Sequence, residues 1–337
     1  MYRFTFDEKN LVVGEVHTQE EFFTFLDSLL LRAPFIVKPN WICKDYGHFT
    51  DPQVLEWMLR YLNEQGDVVL VESYSARNMM KIPELKPPLP IFSSKDLELV
   101  RKSEETFLKE TGIKEVIEET GIEYVNITEE VFAKRTVPRE TVQKMVESKY
   151  PPVLRKELYD FLPKKLYALR SGTFINLAKF KVFFSMCTKN MFGMIPEHVG
   201  YDSRYEAYHG KKDADLSRNI VDINKIYISF FNMIGIVEAI NSLTHNSGNP
   251  TAKIKTDFGY RYDVLEQKGL IYYSNDPLWL DAFIHQQCER DPTETEHVRK
   301  AAKVFGSWSL QLIQAAKNLS NPLIEASQAR FKEPPSS

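Results

Sequence analysis

The fold of this chain is decided by a short stretch near its start, Phe35-Ile36-Val37-Lys38-Pro39-Asn40. Three apolar residues in a row, two of them β-branched, are typical of a strand that is buried on both faces. A helix signal follows, with Asp51 as the N-cap and Pro52 at the first helical position, where the missing N–H is not needed. A second apolar run, Val68-Val69-Leu70-Val71, predicts the next buried strand. Two buried strands joined through a helix predict a parallel sheet with helices on its faces.

The same alternation continues along the chain. Further strands are predicted at residues 123–127, 166–169, 173–177 and 269–274, and residues 182–186 form another apolar run. Further helices are predicted at 20–31, at 96–119 (two helices broken near Gly112, forming a solvated outer layer), at 220–243, after Asp276-Pro277, and from a capping box at Thr293-Glu294-Thr295-Glu296. Loops are predicted at the proline-rich residues 81–90 and at 198–217, the latter a surface or lid loop.

These signals predict an α/β protein with a mixed, mostly parallel sheet, helices on both faces and Rossmann-like layers. A length of 337 residues fits one large domain over 1–330, or two interleaved lobes over about 1–135 and 136–330. Residues 331–337 are predicted to be a frayed tail.

Composition excludes several classes of protein. The 43 basic and 46 acidic residues give a net charge of −3, which provides no basic field for nucleic acid. The first eight residues lack a secretory signal pattern, and the most apolar stretch, 226–240, is too short and polar to span a bilayer. Three separated cysteines without a CxxC pair favour a reducing compartment and no intrinsic iron–sulfur cluster. We therefore expect a cytoplasmic protein that does not bind nucleic acid or membrane; its oligomeric state stays open.

Polar side chains follow the predicted strands where each strand ends. They are Lys38 and Asn40, then Glu72 and Ser73, then Asn126 and Thr128, then Asn176, Lys179 and Lys181. In open parallel sheets, ligands bind outside the carboxyl ends of the strands. We expect these groups to line one rim, although strand ends are commonly polar for contact with water alone.

Lysines along this rim suit an anionic ligand. Pro39 fixes the turn that presents Lys38, and Lys179, Lys181 and Lys189 add positive charge. Asn190, next to Lys189, resembles the amide of an anion clamp. Because lysine binds as a point charge, these residues do not separate phosphate from carboxylate.

Two carboxylates are candidates for general acid–base work or for holding a divalent ion. Asp281 lies in a helical turn whose neighbours in sequence are apolar, so it needs a partner, a metal ion or a raised pKa. The alternative is a structural aspartate bonded to backbone N–H groups or to a lysine. Glu72 follows the same logic more weakly.

Metal and nucleophile motifs are weak or missing. Cys43 and His48 lie in the loop after the first strand, where Glu72 could approach them, and are weak metal candidates. The sequence contains no HExxH, GxSxG, GxGxxG or GxxxxGK[ST] pattern.

Several ordered segments resemble the domain of unknown function 362 family. The resemblance is carried, in order, by residues 36–40, Gly47, 50–52, 69–73, 175–181, 188–193, 236–240, 248–250 and 274–282. Asp281 matches the family's acidic position, whereas Glu238 stands where members typically have Asp. Many members append a ferredoxin-like domain with clustered cysteines, which this chain lacks. The opening of the family is also similar to the amino-terminal part of nickel-dependent lactate racemases, which suggests a hydroxy acid as a type of substrate.

The resemblance implies no specific activity, so the reaction type stays open. The residues predict a protein, in the first instance an enzyme, that binds a small anionic metabolite at the strand rim. Two alternatives are a non-catalytic carrier of a metabolite or cofactor, and a redox enzyme that uses an external iron–sulfur or metal cofactor.

Overall fold

The computed structural model describes residues 1–6, 8–75, 93–181, 186–197, 204–211, 214–245, 247–256 and 259–319. Four of the sequence predictions lie wholly or partly outside these residues. They concern the loop at 81–90, the apolar run at 182–186, the loop at 198–217 and the tail at 331–337.

Strands occur along most of the chain. They are β1 (Tyr2–Phe6), β2 (Lys9–Glu15), β3 (Phe35–Lys38), β4 (Val68–Glu72), β5 (Glu123–Asn126), β6 (Thr173–Lys179), β7 (Asn232–Ala239), β8 (Ser242–His245), β9 (Ile254–Lys255), β10 (Arg261–Glu266) and β11 (Leu270–Ser274). In the described part of the chain, the main sheet has eight strands in the order β1-β2-β11-β7-β6-β3-β4-β5, and a small sheet has the order β8-β10-β9.

The main sheet is parallel on one side and antiparallel on the other. Strands β7, β6, β3, β4 and β5 are parallel to one another, whereas β11, β2 and β1 pair antiparallel. The predicted mixed, mostly parallel α/β fold is therefore confirmed. Because β3, β4, β5 and β6 run in the same direction, their carboxyl ends lie at one edge of the sheet.

Helices lie between the strands and after the last one. They are α1 (Gln19–Asp27), α2 (Pro52–Gln65), α3 (Ser94–Glu110), α4 (Ile113–Thr120), α5 (Ile127–Phe132), α6 (Arg139–Glu147), α7 (Lys164–Ala168), α8 (Cys187–Asn190), α9 (Leu216–Phe230), α10 (Pro277–Gln287), α11 (Glu296–Phe305) and α12 (Leu310–Asn318). Shorter turns of 3₁₀-helix cover 156–160, 191–194 and 292–294, and a π-helical turn covers 205–209.

Successive side chains of a strand point to opposite faces of the sheet. Because strands such as β3 and β4 are apolar along most of their length, both faces are hydrophobic, and helices cover both. Val37 and Leu70 face the core formed with α1, α2 and α4. Ile36 and Val71 face the opposite core, which includes residues of α6 and α9. Both faces of β3 and β4 are thus buried, as their continuous apolar sequence predicts.

Two helix starts are confirmed by local hydrogen bonds. The Asp51 side chain accepts from the backbone N–H of Gln53 at 3.0 Å and caps α2. Asp276 accepts from the N–H groups of Leu278 and Trp279 at 3.0 and 3.1 Å and caps α10. In each case the following proline occupies the first turn.

Three predictions of elements are wrong. Residues 166–169 do not form a strand, because 164–168 form the short helix α7. The helix predicted over 220–243 ends at Phe230, and the next residues form β7 and β8. The capping box at Thr293 does not begin a helix, since α11 begins at Glu296 after a 3₁₀ turn. Short apolar runs fit either a buried strand or a buried helix, so their period alone does not decide.

Helix α3 is only partly the solvated layer that its charges predict. Gly112 does separate it from α4, in a left-handed conformation at φ +77°. Leu97, Val100 and Phe107, however, are buried, and so is Glu104. None of the described helices is long and apolar enough to cross a membrane.

Candidate functional site

The carboxyl ends of β3, β4 and β6 bring the predicted rim residues together. Lys38 ends β3 and pairs in register with Asn176 of β6, while Glu72 ends β4. At the end of β6, Lys179 lies opposite Glu238 of β7. All five side chains are almost completely buried. The rim is thus a set of ionisable and amide groups inside the protein rather than a water-facing edge.

Lys38 and Glu72 form a buried ion pair. The Lys38 Nζ lies 2.6 Å from Glu72 Oε2, and the two side chains are 1% and 2% exposed. Lys38 also donates to the carbonyl of Pro39 at 2.8 Å and to Asn190 Oδ1 at 3.2 Å. Glu72 Oε1 accepts from the backbone N–H of Ser73 at 3.1 Å.

Burial makes both charges of this pair less favourable. It lowers the pKa of Lys38 and raises the pKa of Glu72, while each partner's charge acts in the opposite direction. The two pKa values are therefore moved toward each other. Moving a proton from the Lys38 ammonium to the Glu72 carboxylate therefore costs less free energy than the same transfer in water.

Gly193 allows the chain to close over the pair. A Cβ at Gly193 would lie 2.3 Å from Glu72 Oε1 and 2.8 Å from Lys38 Nζ. Real Cβ atoms do not approach other atoms so closely, so any larger residue at this position would force the Glu72 carboxylate or the Lys38 ammonium to move. The same turn directly follows α8, which supplies Asn190.

Three asparagine amides continue the network from the ion pair. Asn190 Oδ1 accepts from Asn40 Nδ2 at 2.9 Å, and Asn190 Nδ2 donates to Asn176 Oδ1 at 2.8 Å. The Lys181 ammonium donates to Asn40 Oδ1. Lys38, Asn40, Asn176, Lys181 and Asn190 therefore belong to one hydrogen-bonded group, as the rim prediction requires.

A second buried pair lies beside this group. Lys179 Nζ is 2.9 Å from Glu238 Oε1, and both side chains are fully buried. Glu238 Oε1 also accepts from the backbone N–H of Asp51 at 3.1 Å, and burial raises the Glu238 pKa. Glu238 therefore holds Lys179 and also the start of α2.

Asp281 contacts backbone N–H groups instead of a lysine. Its carboxylate accepts from the N–H groups of Met186, Cys187 and Thr188 at 3.1, 2.8 and 2.8 Å. Burial raises its pKa to about 6, against the lowering effect of these bonds. This is the structural arrangement that the sequence left as the alternative. Asp281 holds the start of α8 and thereby positions Asn190.

Lys189 lies on α8 next to Asn190 but is half-buried. Its charge contributes to the lowered pKa of His297 on α11. Lys189 is therefore within electrostatic range of α11.

Several residues of the same region were not found from the sequence. Arg204 donates to Ser73 Oγ at 2.8 Å and to the carbonyl of Ile195 at 2.9 Å, and its Nε lies 2.9 Å from Glu197. Glu104 of α3 is 6% exposed, and the nearby charge of Glu72 helps to raise its pKa. A signal for Glu104 does exist, because it lies on the apolar stripe formed by Leu97, Val100 and Phe107.

Cys43 and His48 are both buried, and the His48 ring packs against Tyr262 with 4.5 Å between centroids. Glu72 contacts Lys38. In the described part of the chain, no group of three or more His, Cys, Asp and Glu side chains is arranged to hold a metal ion. The weak metal prediction thus gains no third ligand there.

A cavity of about 260 Å³ lies elsewhere. Its lining includes Asn224 of α9, Asn232 at the start of β7 and Asp276 before α10. The start of β7 is at the amino-terminal edge of the parallel strands, opposite the rim. This cavity is therefore not the cleft expected at the carboxyl ends.

Comparison with known proteins identifies the family. The model of the domain of unknown function DUF362 matches residues 36–286, which include the whole strand-end network. Neither the curated proteins nor the solved structures provide a significant match. Because the matched segment covers most of the sequence, this chain belongs to the DUF362 family.

Proposed function

We propose that this protein is an enzyme that binds a small anionic metabolite, a carboxylate or a phosphate, at the strand-end network. Lys38 and Glu72 are its acid–base pair. Lys38, Asn40, Asn176, Lys179, Lys181, Lys189 and Asn190 are the proposed binding residues. Asp281 is proposed to position α8 rather than to react.

One observation carries the proposal: the Lys38–Glu72 pair, at 2.6 Å, is buried at the ends of two neighbouring parallel strands. Removing two charges from water costs several kcal/mol per ion, and their attraction often fails to recover that cost. Ionisable groups with perturbed pKa values cluster at functional sites, and parallel sheets bind ligands at this edge.

The nature of the surrounding groups supports an anion as the ligand. Lys38, Lys181 and Arg204 supply basic side chains, and the asparagine side chains add amide N–H groups. Ammonium and amide donors suit carboxylate and phosphate oxygens. Lys38 is also close enough to Glu72 to return a proton that Glu72 removes from a bound substrate.

The test is ligand-induced thermal stabilisation with inorganic phosphate, malonate, lactate and glycerol phosphate, each with and without Mg²⁺. Wild type should be stabilised by at least one anion, because a ligand that binds only the native state raises its stability. The double variant Lys38→Met/Glu72→Gln should lose this response. It removes both charges together and so leaves no unpaired buried ion.

The matched control is Lys225→Met/Asp222→Asn. Lys225 and Asp222 form another buried pair at 2.6 Å, but on helix α9. This control should respond to the anion like wild type. A wild type that responds to no anion, or a Lys38/Glu72 variant that responds fully, would contradict the proposal.

Binding and catalysis can be separated with malonate or lactate, whichever binds better, because each has a carbon-bound hydrogen next to a carboxylate. In D₂O, an acid–base enzyme should exchange a carbon-bound hydrogen of its substrate for deuterium, which NMR detects. Wild type should exchange it and Glu72→Gln should not. Binding without exchange would favour the non-catalytic carrier.

A further inference from the structure

Buried acidic side chains in the described residues differ in what neutralises them. Glu72, Glu197, Asp222 and Glu238 each contact a lysine or an arginine. Asp281 accepts three backbone N–H groups. Among the described residues, only the Tyr124 hydroxyl donates a hydrogen bond to Glu104, at 2.8 Å, and Glu104 is 6% exposed. Glu104 is thus a buried carboxyl group without a contacting cation in the described chain.

The surroundings of Glu104 favour its neutral form. The negative charges of Glu72 and Glu129 raise the pKa of Glu104, and the positive charge of Arg204 lowers it. Burial is the largest influence and, with the two glutamates, raises the pKa of Glu104 to about 8. Glu72 lies in the same region, because Asn126, which donates to the Tyr124 hydroxyl, pairs in register with Glu72. Glu72 contacts Lys38 directly, whereas Glu104 contacts no cation in the described chain, and two neighbouring carboxyl groups in such different environments are the usual arrangement of an acid and a base.

The hydrogen bonds also place the acid proton on one oxygen. Asn126 Oδ1 accepts from the backbone N–H of Thr128, which fixes the amide so that its Nδ2 donates to the Tyr124 hydroxyl at 3.0 Å. The single hydroxyl proton of Tyr124 then goes to Glu104 Oε1. Oε1 is therefore an acceptor, and a proton on Glu104 belongs to Oε2. No residue of the described chain bonds to Oε2.

We propose that Glu104 is the neutral carboxylic acid of the strand-end site and that its Oε2–H donates to the bound anion. This inference rests on the proposed function. It adds a residue whose protonation makes the binding of the anion depend on pH. Once Glu104 ionises it repels an anion, so the site should bind its ligand only while Glu104 is protonated. Lys38 and Lys181, in contrast, attract an anion at every pH at which they stay charged.

The first test needs no ligand and measures urea unfolding of wild type and Glu104→Gln from pH 5 to 9. A raised carboxyl pKa means that the folded state holds a proton that the unfolded state has released. Wild-type stability is therefore lost as pH rises from about 4.5 to about 8. Relative to Glu104→Gln, the wild-type midpoint should fall between pH 5 and 8 and then level off. A difference that stays constant over this range would overturn the inference.

The control on the same helix is Glu105→Gln. Glu105 is exposed and its contact with Lys114 lowers its pKa. Its removal should leave the wild-type slope between pH 5 and 8 unchanged. A loss of the slope in Glu105→Gln, with the slope kept in Glu104→Gln, would also overturn the inference.

The second test measures the affinity for oxalate and sulfate from pH 7 to 9 by calorimetry, since both ions keep their charge over this range. Wild-type affinity should fall several-fold, whereas Glu104→Gln, whose amide still donates, should bind equally at both ends. Glu104→Leu should bind weakly throughout. Equal profiles for wild type and Glu104→Gln would refute the donor role. If neither ion binds any of these proteins, the proposed function fails, and the unfolding test alone decides whether Glu104 is neutral.

Discussion

Two buried lysine–carboxylate pairs of this protein have the same geometry but different surroundings. Lys38–Glu72 and Lys225–Asp222 both have an N–O distance of 2.6 Å, with side chains at most 5% exposed. The second pair is three residues apart on α9. Its further bonds go to the backbone, since Lys225 donates to the carbonyl of Pro151 and Asp222 accepts from the N–H of Leu154.

The comparison shows what separates a structural pair from a candidate site. The Lys225–Asp222 pair fastens a loop onto a helix, which is a complete structural explanation. Lys38–Glu72 joins the ends of two strands and leads into the amides of Asn190, Asn40 and Asn176. Burial and charge are the same in both pairs. The difference lies in the other hydrogen bonds of each pair: those of Lys225 and Asp222 go to backbone groups, whereas Lys38 also bonds to the side chain of Asn190.

The largest expected effect is the loss of one partner of either pair. Lys38→Met and Lys225→Met should each lower the free energy of unfolding by about 3–5 kcal/mol, because a buried carboxylate is left without a counter-ion. Urea unfolding at pH 7 measures both. Only Lys38→Met should also abolish the response to anions. A Lys225→Met protein that folds but has lost anion binding would break the distinction between the two pairs.

The pH response of Asp281 tests whether its role is structural. Its pKa of about 6 lies above the ordinary 3.8, so the folded state retains the proton longer than the unfolded state. Stability is therefore lost as pH rises from about 4 to 6. Relative to Asp281→Asn, the loss should be about 2–3 kcal/mol in urea unfolding.

Asp281→Asn should still bind an anion at pH 7, with reduced affinity, since Asn190 is less firmly held. A complete loss of binding in a fully folded Asp281→Asn protein would instead mean that Asp281 is one of the reacting groups.

Gly193→Ala tests the close contact between the 191–194 turn and the ion pair. The added methyl group would meet Glu72 Oε1 at 2.3 Å, and overpacking of this kind costs about 1–3 kcal/mol. The same change made in a Glu72→Ala background should cost clearly less, because the carboxylate is gone. Thermal unfolding of the four proteins forms a double-mutant cycle. Equal costs in both backgrounds would mean that the contact does not constrain the turn.

The smallest effect is expected for Lys189→Gln. A half-buried lysine on a short helix should change stability by no more than about 0.5 kcal/mol. The variant should raise the pKa of His297, because it removes one of the charges that lower it. An NMR titration of the histidines measures this shift. An unchanged His297 pKa would contradict the position of Lys189 beside α11.

Local signals in the sequence predicted much of the fold. Asp51-Pro52 and Asp276-Pro277 start helices because the cap and the proline act within one turn. The runs at 35–37 and 68–71 are strands since both faces of the sheet are covered. The helix predicted over 220–243 was too long, because an apolar run such as Met233-Ile234 fits a buried strand as well as a helix.

The apolar neighbours of Asp281 predict a buried carboxylate and leave backbone N–H groups open as its partners, but they do not identify which N–H groups these are. These partners are backbone N–H groups about 95 residues earlier in the sequence, and no local pattern identifies them. The charged residues that surround Glu104 in sequence predict that it lies on a solvated face. Only the packing of α3 places that one glutamate near Glu72.

The sequence by itself determined β3, α2, β4 and the start of α10, and it placed lysine, glutamate and asparagine residues at the ends of buried strands, because these properties depend on neighbours within a turn or a strand. The tertiary structure decided which of these groups meet. Parallel pairing of β3, β4 and β6 brings Lys38, Glu72 and Asn176 together. The resulting charges, contacts and pKa values depend on distances between segments far apart in the chain, which no local pattern encodes.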